Sequence, residues 1–192
     1  NETLTSVRFL NGNTSMMFGT DTGRIVQWFP VRDKNNDFAL QEIRSFQRDS
    51  YPITSMGMES TRKGFAVGDA KGSFHLYYST SHRHLRSAEV ADESISFVRF
   101  APRSNGAIIE TESGRLMTFD IDNPHPEVSF GSLWNKVWYE GYSEPTYTWQ
   151  SSSANDDFEF KFSLTPLTFG TIKAALYSML FAVPIAIFAA IY

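Results

Sequence analysis

Apolar and polar positions alternate in the same way in three stretches of the chain, and the three can be laid on one another without a gap. Gly23, Gly72 and Gly114 set the alignment. Eighteen residues before each glycine stands a hydroxyl residue (Thr5, Thr54, Ser96), preceded by Leu4, Ile53 or Ile95. Two and four residues after the hydroxyl come Val7 and Phe9, Met56 and Met58, Val98 and Phe100. That period of two predicts a half-buried strand. A second strand ends on Met17-Phe18, Ala66-Val67 and Ile108-Ile109. The glycine then supplies the positive φ of a hairpin turn. A third strand follows, carrying Ile25/Trp28, Phe74/Tyr77 and Leu116/Phe119 at matching offsets. Phe38–Phe46 and His84–Ala91 supply candidate fourth strands for the first two units.

The last part of the chain has a different pattern. From Ala174 to Tyr192 no residue is charged, and Lys173 is the one charge after Pro166. As a helix, the 22 residues from Thr171 span about 33 Å, enough for a hydrocarbon core of about 30 Å. Thr165-Pro166 predicts its start, a capping hydroxyl followed by proline at the first helical position. Pro184 near mid-span is expected to kink it. Gly170, Ala174, Ser178, Ala182, Ala186 and Ala190 repeat every fourth residue. Such a ribbon of small side chains lets membrane helices approach closely. Between the two regions, Trp134, Trp138, Tyr139, Tyr142, Tyr147 and Trp149 crowd into 16 residues. Trp138, Tyr139, Tyr142 and Trp149 are the candidate membrane-interface residues. For Trp134 and Trp138, completion of the β core is an equal alternative. Ser151-Ser152-Ser153 with Asn155-Asp156-Asp157 reads as a solvated linker.

These patterns divide the 192 residues into a β region over 1–133, a juxtamembrane linker over 134–165 and a membrane helix over 166–192. Four Trp and seventeen Phe exclude a disordered chain. The net charge of −4 argues against nucleic-acid binding. With no cysteine there is neither a disulfide framework nor a thiolate ligand.

The three units resemble WD repeats. The third is nearest, with Ile95-Ser96-Phe97-Val98-Arg99-Phe100-Ala101-Pro102, then Gly114-Arg115-Leu116, then Phe119-Asp120 in place of the Trp-Asp pair. The first places Trp28 at the Trp position, followed by Phe29. The Gly-His dipeptide of that family is missing, so its Asp–His hydrogen bond does not carry over. The glycine spacings of 49 and 42 residues suit four-stranded propeller blades. Three blades do not close a ring. Either further blades precede Asn1, or the repeats form an open or shared arrangement. The expected fold class is therefore mainly β: three WD-repeat-like, four-stranded units of an incomplete propeller ring, then one carboxy-terminal transmembrane helix.

The segment Trp134–Tyr192 resembles the start of the membrane domain in the phosphate-specific ABC transporter permeases of bacteria. Glu144-Pro145, Trp149-Gln150-Ser151-Ser152, Lys161-Phe162-Ser163-Leu164 and Pro166-Leu167 carry this likeness. So do Gly170-Thr171-Ile172-Lys173-Ala174, Val183-Pro184-Ile185-Ala186 and Ala189-Ala190-Ile191-Tyr192. The resemblance implies a bacterial inner-membrane subunit with residues 1–165 in the periplasm. Its implied partners are a second permease subunit, a cytoplasmic ATPase reached through regions outside this chain, and a periplasmic phosphate-binding protein. No transport residue of that family falls within the matching positions.

No catalytic, cofactor or metal-ligating set emerges from the sequence. Gly68-Asp69-Ala70-Lys71-Gly72-Ser73 lacks the spacing of a P-loop. His82-Arg83-His84 reads as a solvated loop more readily than as a metal site. Arg83 and Arg86 offer attraction for an anion, although an exposed basic turn is commoner. Two functions from different classes remain open. One is a transporter permease subunit with a periplasmic β module for regulation or docking. The other is a WD-repeat-like interaction scaffold anchored in a membrane.

Overall fold

The computed structural model describes residues 2–47, 49–154 and 158–192. Three antiparallel sheets form three successive blades. The first holds β1 (Leu4–Phe9), β2 (Met16–Thr20), β3 (Arg24–Arg32) and β4 (Phe38–Gln47) in that spatial order. The second repeats it with β5 (Ile53–Met58), β6 (Gly64–Asp69), β7 (Ser73–Tyr78) and β8 (Arg83–Glu89). The third has β9 (Ile95–Phe100), β10 (Gly106–Thr111) and β11 (Leu116–Asp120), with three strands among the described residues. The first strands, β1, β5 and β9, lie next to one another where the blades meet.

The repeat extends to the irregularities. Thr5, Thr54 and Ser96 are each the extra residue of a bulge between the first and second strands. Thr54 Oγ1 donates to the Gly68 carbonyl at 3.1 Å, and Ser96 Oγ to the Glu110 carbonyl at 3.1 Å. A hydroxyl is useful there because a bulge leaves ladder carbonyls unpaired. Gly23, Gly72 and Gly114 occupy equivalent turns with φ of 80°, 92° and 81°. Trp28, Tyr77 and Phe119 pair with Met16, Phe65 and Ala107 at equivalent register positions. Their burial differs: Tyr77 is 3% exposed, whereas Trp28 and Phe119 are half-buried. Among the described residues, blade 2 is the one with a blade on both faces.

That sandwiching explains why every residue of β6 and β7 is buried. Alternate side chains of β6 serve opposite sides. Phe65 and Val67 join Leu10, Met17, Ile25, Phe46, Ile53 and Met56 between blades 1 and 2. Ala66 joins Phe74, Ile95, Val98, Phe100 and Ile109 between blades 2 and 3. Blade spacing is set by missing side chains. A Cβ at Gly19 would stand 2.6 Å from Met56 Cε, and one at Gly68 would stand 2.4 Å from Ile95 Cγ2. In the third unit the equivalent residue is Glu110.

The chain then leaves the blades through a short helix α1 (Phe130–Trp134), capped by Ser129 and Ser132, and a two-stranded hairpin of β12 (Trp149–Gln150) and β13 (Lys161–Phe162). Ser151–Ala154 are exposed, and Asn155-Asp156-Asp157 of the expected linker lie outside the described residues. Helix α2 (Thr165–Ile191) closes the chain with 27 residues. Its first turn differs from the expectation. Leu164 is the N-cap without a side-chain hydrogen bond, and the Thr165 hydroxyl donates to the Trp134 carbonyl at 3.3 Å. The helix begins one residue earlier than expected, so Thr165 is its first helical residue and its hydroxyl anchors the helix to the strap instead of capping it.

Candidate functional site

Residues 134–165 form a strap that ties the blades to α2. Lys63, in the bend just before β6, has a side chain 4% exposed and donates to Glu140 Oε2 at 2.6 Å. It donates again to the Asn11 carbonyl at 2.6 Å. Glu140 also accepts from Ser15, and Ser15 Oγ accepts from Gln27 Nε2 at 2.8 Å. Gln27 Oε1 accepts from Arg44 at 2.9 Å and from Ser79 Oγ at 2.6 Å. Arg44 donates further to the Trp138 carbonyl. Two blades and the strap therefore share one hydrogen-bonded network, with each member satisfied by a neighbour.

The charges of this junction perturb one another. Burial pushes the Glu159 carboxyl up to about 7; Arg44, Lys63 and Lys161 oppose that rise and Glu140 adds to it. Lys161 is buried, and burial lowers its pKa while Glu159 resists. Its ammonium donates to Gln150 Oε1 at 2.9 Å and lies 5.0 Å from the Phe158 ring and 5.5 Å from that of Tyr139. Such faces attract a partly desolvated cation. The strap ends beside its beginning: Leu164 N–H donates to the Leu133 carbonyl at 2.8 Å. The start of α2 is thus pinned to the end of α1.

The aromatic residues singled out from the sequence fall into two environments. Tyr139 is 1% exposed, and burial raises its phenol to about 12. Trp138 stands edge-on to Phe29 at 6.3 Å and donates its indole N–H to the Tyr142 carbonyl at 2.9 Å. Tyr142, half-buried, lies edge-on to Tyr139 at 6.1 Å. Trp149 remains on the surface beside Phe162, in company with exposed Trp134, Tyr147 and Phe160.

No residue of α2 is buried. The helix is long and apolar enough to cross a membrane, and none of its most apolar stretch packs inside the molecule. Gly170, Ala174, Ser178, Ala182, Ala186 and Ala190 all lie on this open surface. Thr171 and Ser178 return their hydroxyls to the carbonyls of Leu167 and Ala174 at 2.9 and 2.8 Å. The helix therefore presents few polar groups to its surroundings.

Sequence reasoning missed two features of the blades. The first is a hydrogen-bonded Asp–His pair in blade 2, built without a Gly-His dipeptide. Asp69 accepts from the N–H groups of Lys71 and Ser73 through one oxygen, and its other oxygen lies 3.2 Å from His75 Nε2. His75 Nδ1 lies 2.9 Å from Ser87 Oγ. Thr20 and Thr111 stand where Asp69 does and bond the Arg24 and Arg115 carbonyls. The signal available was their common place three residues before the turn glycine. The second is the Lys63–Glu140 pair, whose partners are 77 residues apart. Among the described residues, no group of three His, Cys, Asp or Glu side chains could hold a metal ion. His82 lies in a turn with φ 51°, its Nε2 2.9 Å from the Ser45 carbonyl, and Arg83 donates to the Val128 carbonyl.

This architecture, mainly β with propeller-type blades in an open arc and one long apolar helix, places the blade region in the β-propeller class of folds. Solved structures agree. The chain resembles one from a mitotic checkpoint complex crystal structure at TM-score 0.53 and 8% identity, over 66% of this chain and 38% of that one. It resembles the β-propeller domain of Cps50 (Swd1) from Myceliophteria thermophila at TM-score 0.53 and 13% identity, over 62% of this chain and 38% of that one. The match therefore spans well under half the length of these two chains. No family profile and no curated protein sequence matches it.

Proposed function

We propose that this chain is a protein-interaction module of the propeller type held at a membrane by α2. The observation that carries this reading is an apolar helix with no buried residue, pinned at its first turn to a folded β module. Propeller-type blades with hydrogen-bonded turns offer an extended surface of the kind that suits binding. In this reading residues 1–133 are the interaction module, 134–165 the juxtamembrane strap and 166–192 the membrane span. Trp149 and its exposed neighbours face the membrane interface, backed by Trp138, Tyr139 and Tyr142. Alkaline extraction of membranes from expressing cells tests the anchor. Retention of the intact chain and release of a variant ending at Leu164 are expected. Release of both would overturn it.

A second and more specific reading is a bacterial phosphate-specific ABC permease subunit, with the module in the periplasm and α2 as the first helix of the membrane domain. What favours it is the permease-like pattern from Gly170 to Tyr192, together with a small-residue ribbon that is open along the whole of α2. Its partners would then be a second permease subunit, a cytoplasmic ATPase and a periplasmic phosphate-binding protein. A reporter fused after Thr165 should be active in the periplasm. In the full-length protein, Ala182→Leu and Ala186→Leu should impair phosphate uptake and Ile187→Leu should not. Equal uptake by all three would leave the ribbon without a role, and a reporter active only in the cytoplasm would remove the permease reading.

A further inference from the structure

Among the described residues, no strand pairs with the outer edge of β11, at the place where β4 and β8 complete blades 1 and 2. The hydrogen-bond pattern shows which groups are unpaired. Thr111 N–H donates to the Arg115 carbonyl and Ile121 N–H to the Asn105 carbonyl. In an antiparallel ladder this alternation turns Met117 and Phe119 toward β10. It leaves the N–H and C=O groups of Leu116, Thr118 and Asp120 pointing outward. Their counterparts in β7, Phe74, Leu76 and Tyr78, pair with β8 and are 7%, 5% and 2% exposed, whereas Leu116 is 63% exposed. Beside this edge runs a groove of about 600 Å³, walled by Phe74, Leu76, Leu85 and Val90 of blade 2 and by Phe119 and Ile121.

The turn glycines mark the same vacancy independently. A Cβ on Gly23 would meet the Asp49 carbonyl at 2.2 Å, and one on Gly72 the Ala91 carbonyl at 2.1 Å, because the chain leaving the fourth strand passes over them. Nothing lies within 4 Å of that position at Gly114. The residues that follow β11 are committed elsewhere. Asn123 Oδ1 accepts from Arg62 at 3.0 Å, the Pro126 carbonyl accepts from Ser81 at 2.7 Å, and the Val128 carbonyl accepts from Arg83 at 2.9 Å. They run beneath blade 2 instead of turning back along β11.

We propose that the free edge of β11 and the groove beside it receive an extended segment of a partner protein as the fourth strand of blade 3. The segment runs antiparallel to β11, bonds Leu116, Thr118 and Asp120 through its backbone, and places apolar side chains opposite Met117 and Phe119, over the groove. Both complete blades supply the template: the third and fourth strands slip register at the same step, between Gln27 and Trp28 and between Leu76 and Tyr77. A partner strand is expected to bulge between Thr118 and Phe119. Recognition of this kind takes affinity from main-chain hydrogen bonds and specificity from alternate side chains. The proposal rests on the reading of the chain as an interaction module. That reading is tested separately, by crosslinking of the module to partners in intact cells, and survives if the strand site fails.

The test uses the whole chain in detergent micelles and a synthetic peptide copying residues 82–91 with H84V and S87V, the two peptide positions that would lie opposite Phe119 and Met117 when it pairs as β8 pairs with β7. Added peptide should slow amide exchange at Leu116, Thr118 and Asp120 at least tenfold, with smaller changes at Met117 and Phe119. Thr118→Pro should weaken binding tenfold or more. It removes no bond to β10, because the Thr118 N–H points outward, where proline is tolerated at a sheet edge. A scrambled peptide should not bind. Failure of the copied peptide to bind, equal binding to the Thr118→Pro chain, or slow exchange of those amides before peptide is added would each overturn the proposal. The last result would mean that the chain itself, or a second copy, already covers the edge.

Discussion

Replacing Gly72 and Gly114 by alanine, one at a time, separates two penalties that usually arrive together. Both residues have positive φ, 92° and 81°. An L side chain in that region costs about 1–2 kcal/mol. For Gly114→Ala this is the whole expected loss, because the added methyl meets nothing within 4 Å. For Gly72→Ala the methyl would stand 2.1 Å from the Ala91 carbonyl and 2.6 Å from that of Glu93. The connector between blades 2 and 3 must then move outward. Moving it breaks the bonds from Val90 and Ala91 N–H to the Gly72 carbonyl, now 2.9 and 3.2 Å. Two such bonds contribute about 1 kcal/mol each. The expected loss for Gly72→Ala is therefore about 3–4 kcal/mol. For a chain of this length 1 kcal/mol lowers Tm by about 2–4 °C. Thermal unfolding of the detergent-solubilised chain, followed by near-ultraviolet circular dichroism, should show Gly72→Ala falling at least twice as far as Gly114→Ala. Gly23→Ala, whose methyl would meet the Asp49 carbonyl at 2.2 Å, should behave like Gly72→Ala. Equal losses at Gly72 and Gly114 would refute the covered-turn account.

Other expectations test the junction and the helix. Lys63→Ala leaves the Glu140 carboxylate without its cation and should cost about 3 kcal/mol, the usual penalty for breaking a buried pair. Limited proteolysis should then cut within residues 143–153 of the released strap. Glu159 has a carboxyl pushed up to about 7 from an ordinary value near 4.5, so the folded state holds a proton that the unfolded chain has already lost across that interval. Stability from this group is present below the lower value and declines as pH rises toward 7. Glu159→Gln should flatten urea-unfolding midpoints measured between pH 5 and 7.5, and an unchanged slope would exclude the group. Under the permease reading, Ala182→Leu and Ala186→Leu should reduce helix assembly in the full-length protein relative to Ile187→Leu, as read by co-purification of a second, tagged permease subunit.

Much of the blade architecture was legible because it is repeated. The turn glycines, the bulge hydroxyls and the period-two apolar pairs all recur at fixed offsets, and local backbone geometry demands each of them. Phe38–Phe46 and His84–Ala91 overlap β4 (Phe38–Gln47) and β8 (Arg83–Glu89) to within a residue or two. Helix α2 was equally readable from its uncharged run. The strap was not. Lys63 and Glu140 carry no sequence mark of their partnership, and Tyr139 cannot be told from an interfacial tyrosine until the blades that cover it are in place. Thr165 was misjudged for a related reason: the helix begins with it, after Leu164, and its hydroxyl donates to a carbonyl 31 residues away, a contact its local sequence does not announce. The Asp69–His75 pair escaped notice because the histidine comes from the third strand instead of a preceding dipeptide.

The series Gly19, Gly68, Glu110 gives the arc a direction. At the first two positions the absent side chain admits the isoleucine of the next blade, Ile53 or Ile95, to a separation no other residue would tolerate. At the third a half-buried carboxylate occupies the same place. A blade added there on the same pattern would press a hydrocarbon branch against an ion, with a desolvation cost and no compensating partner. Whatever meets that face of blade 3 has to bring a cation or a hydrogen-bond donor opposite Glu110, or keep enough distance for water to remain. Blades 1 and 2 are thus interchangeable as spacers, whereas the third discriminates among neighbours by charge. The order of the repeats carries information that their shared shape conceals.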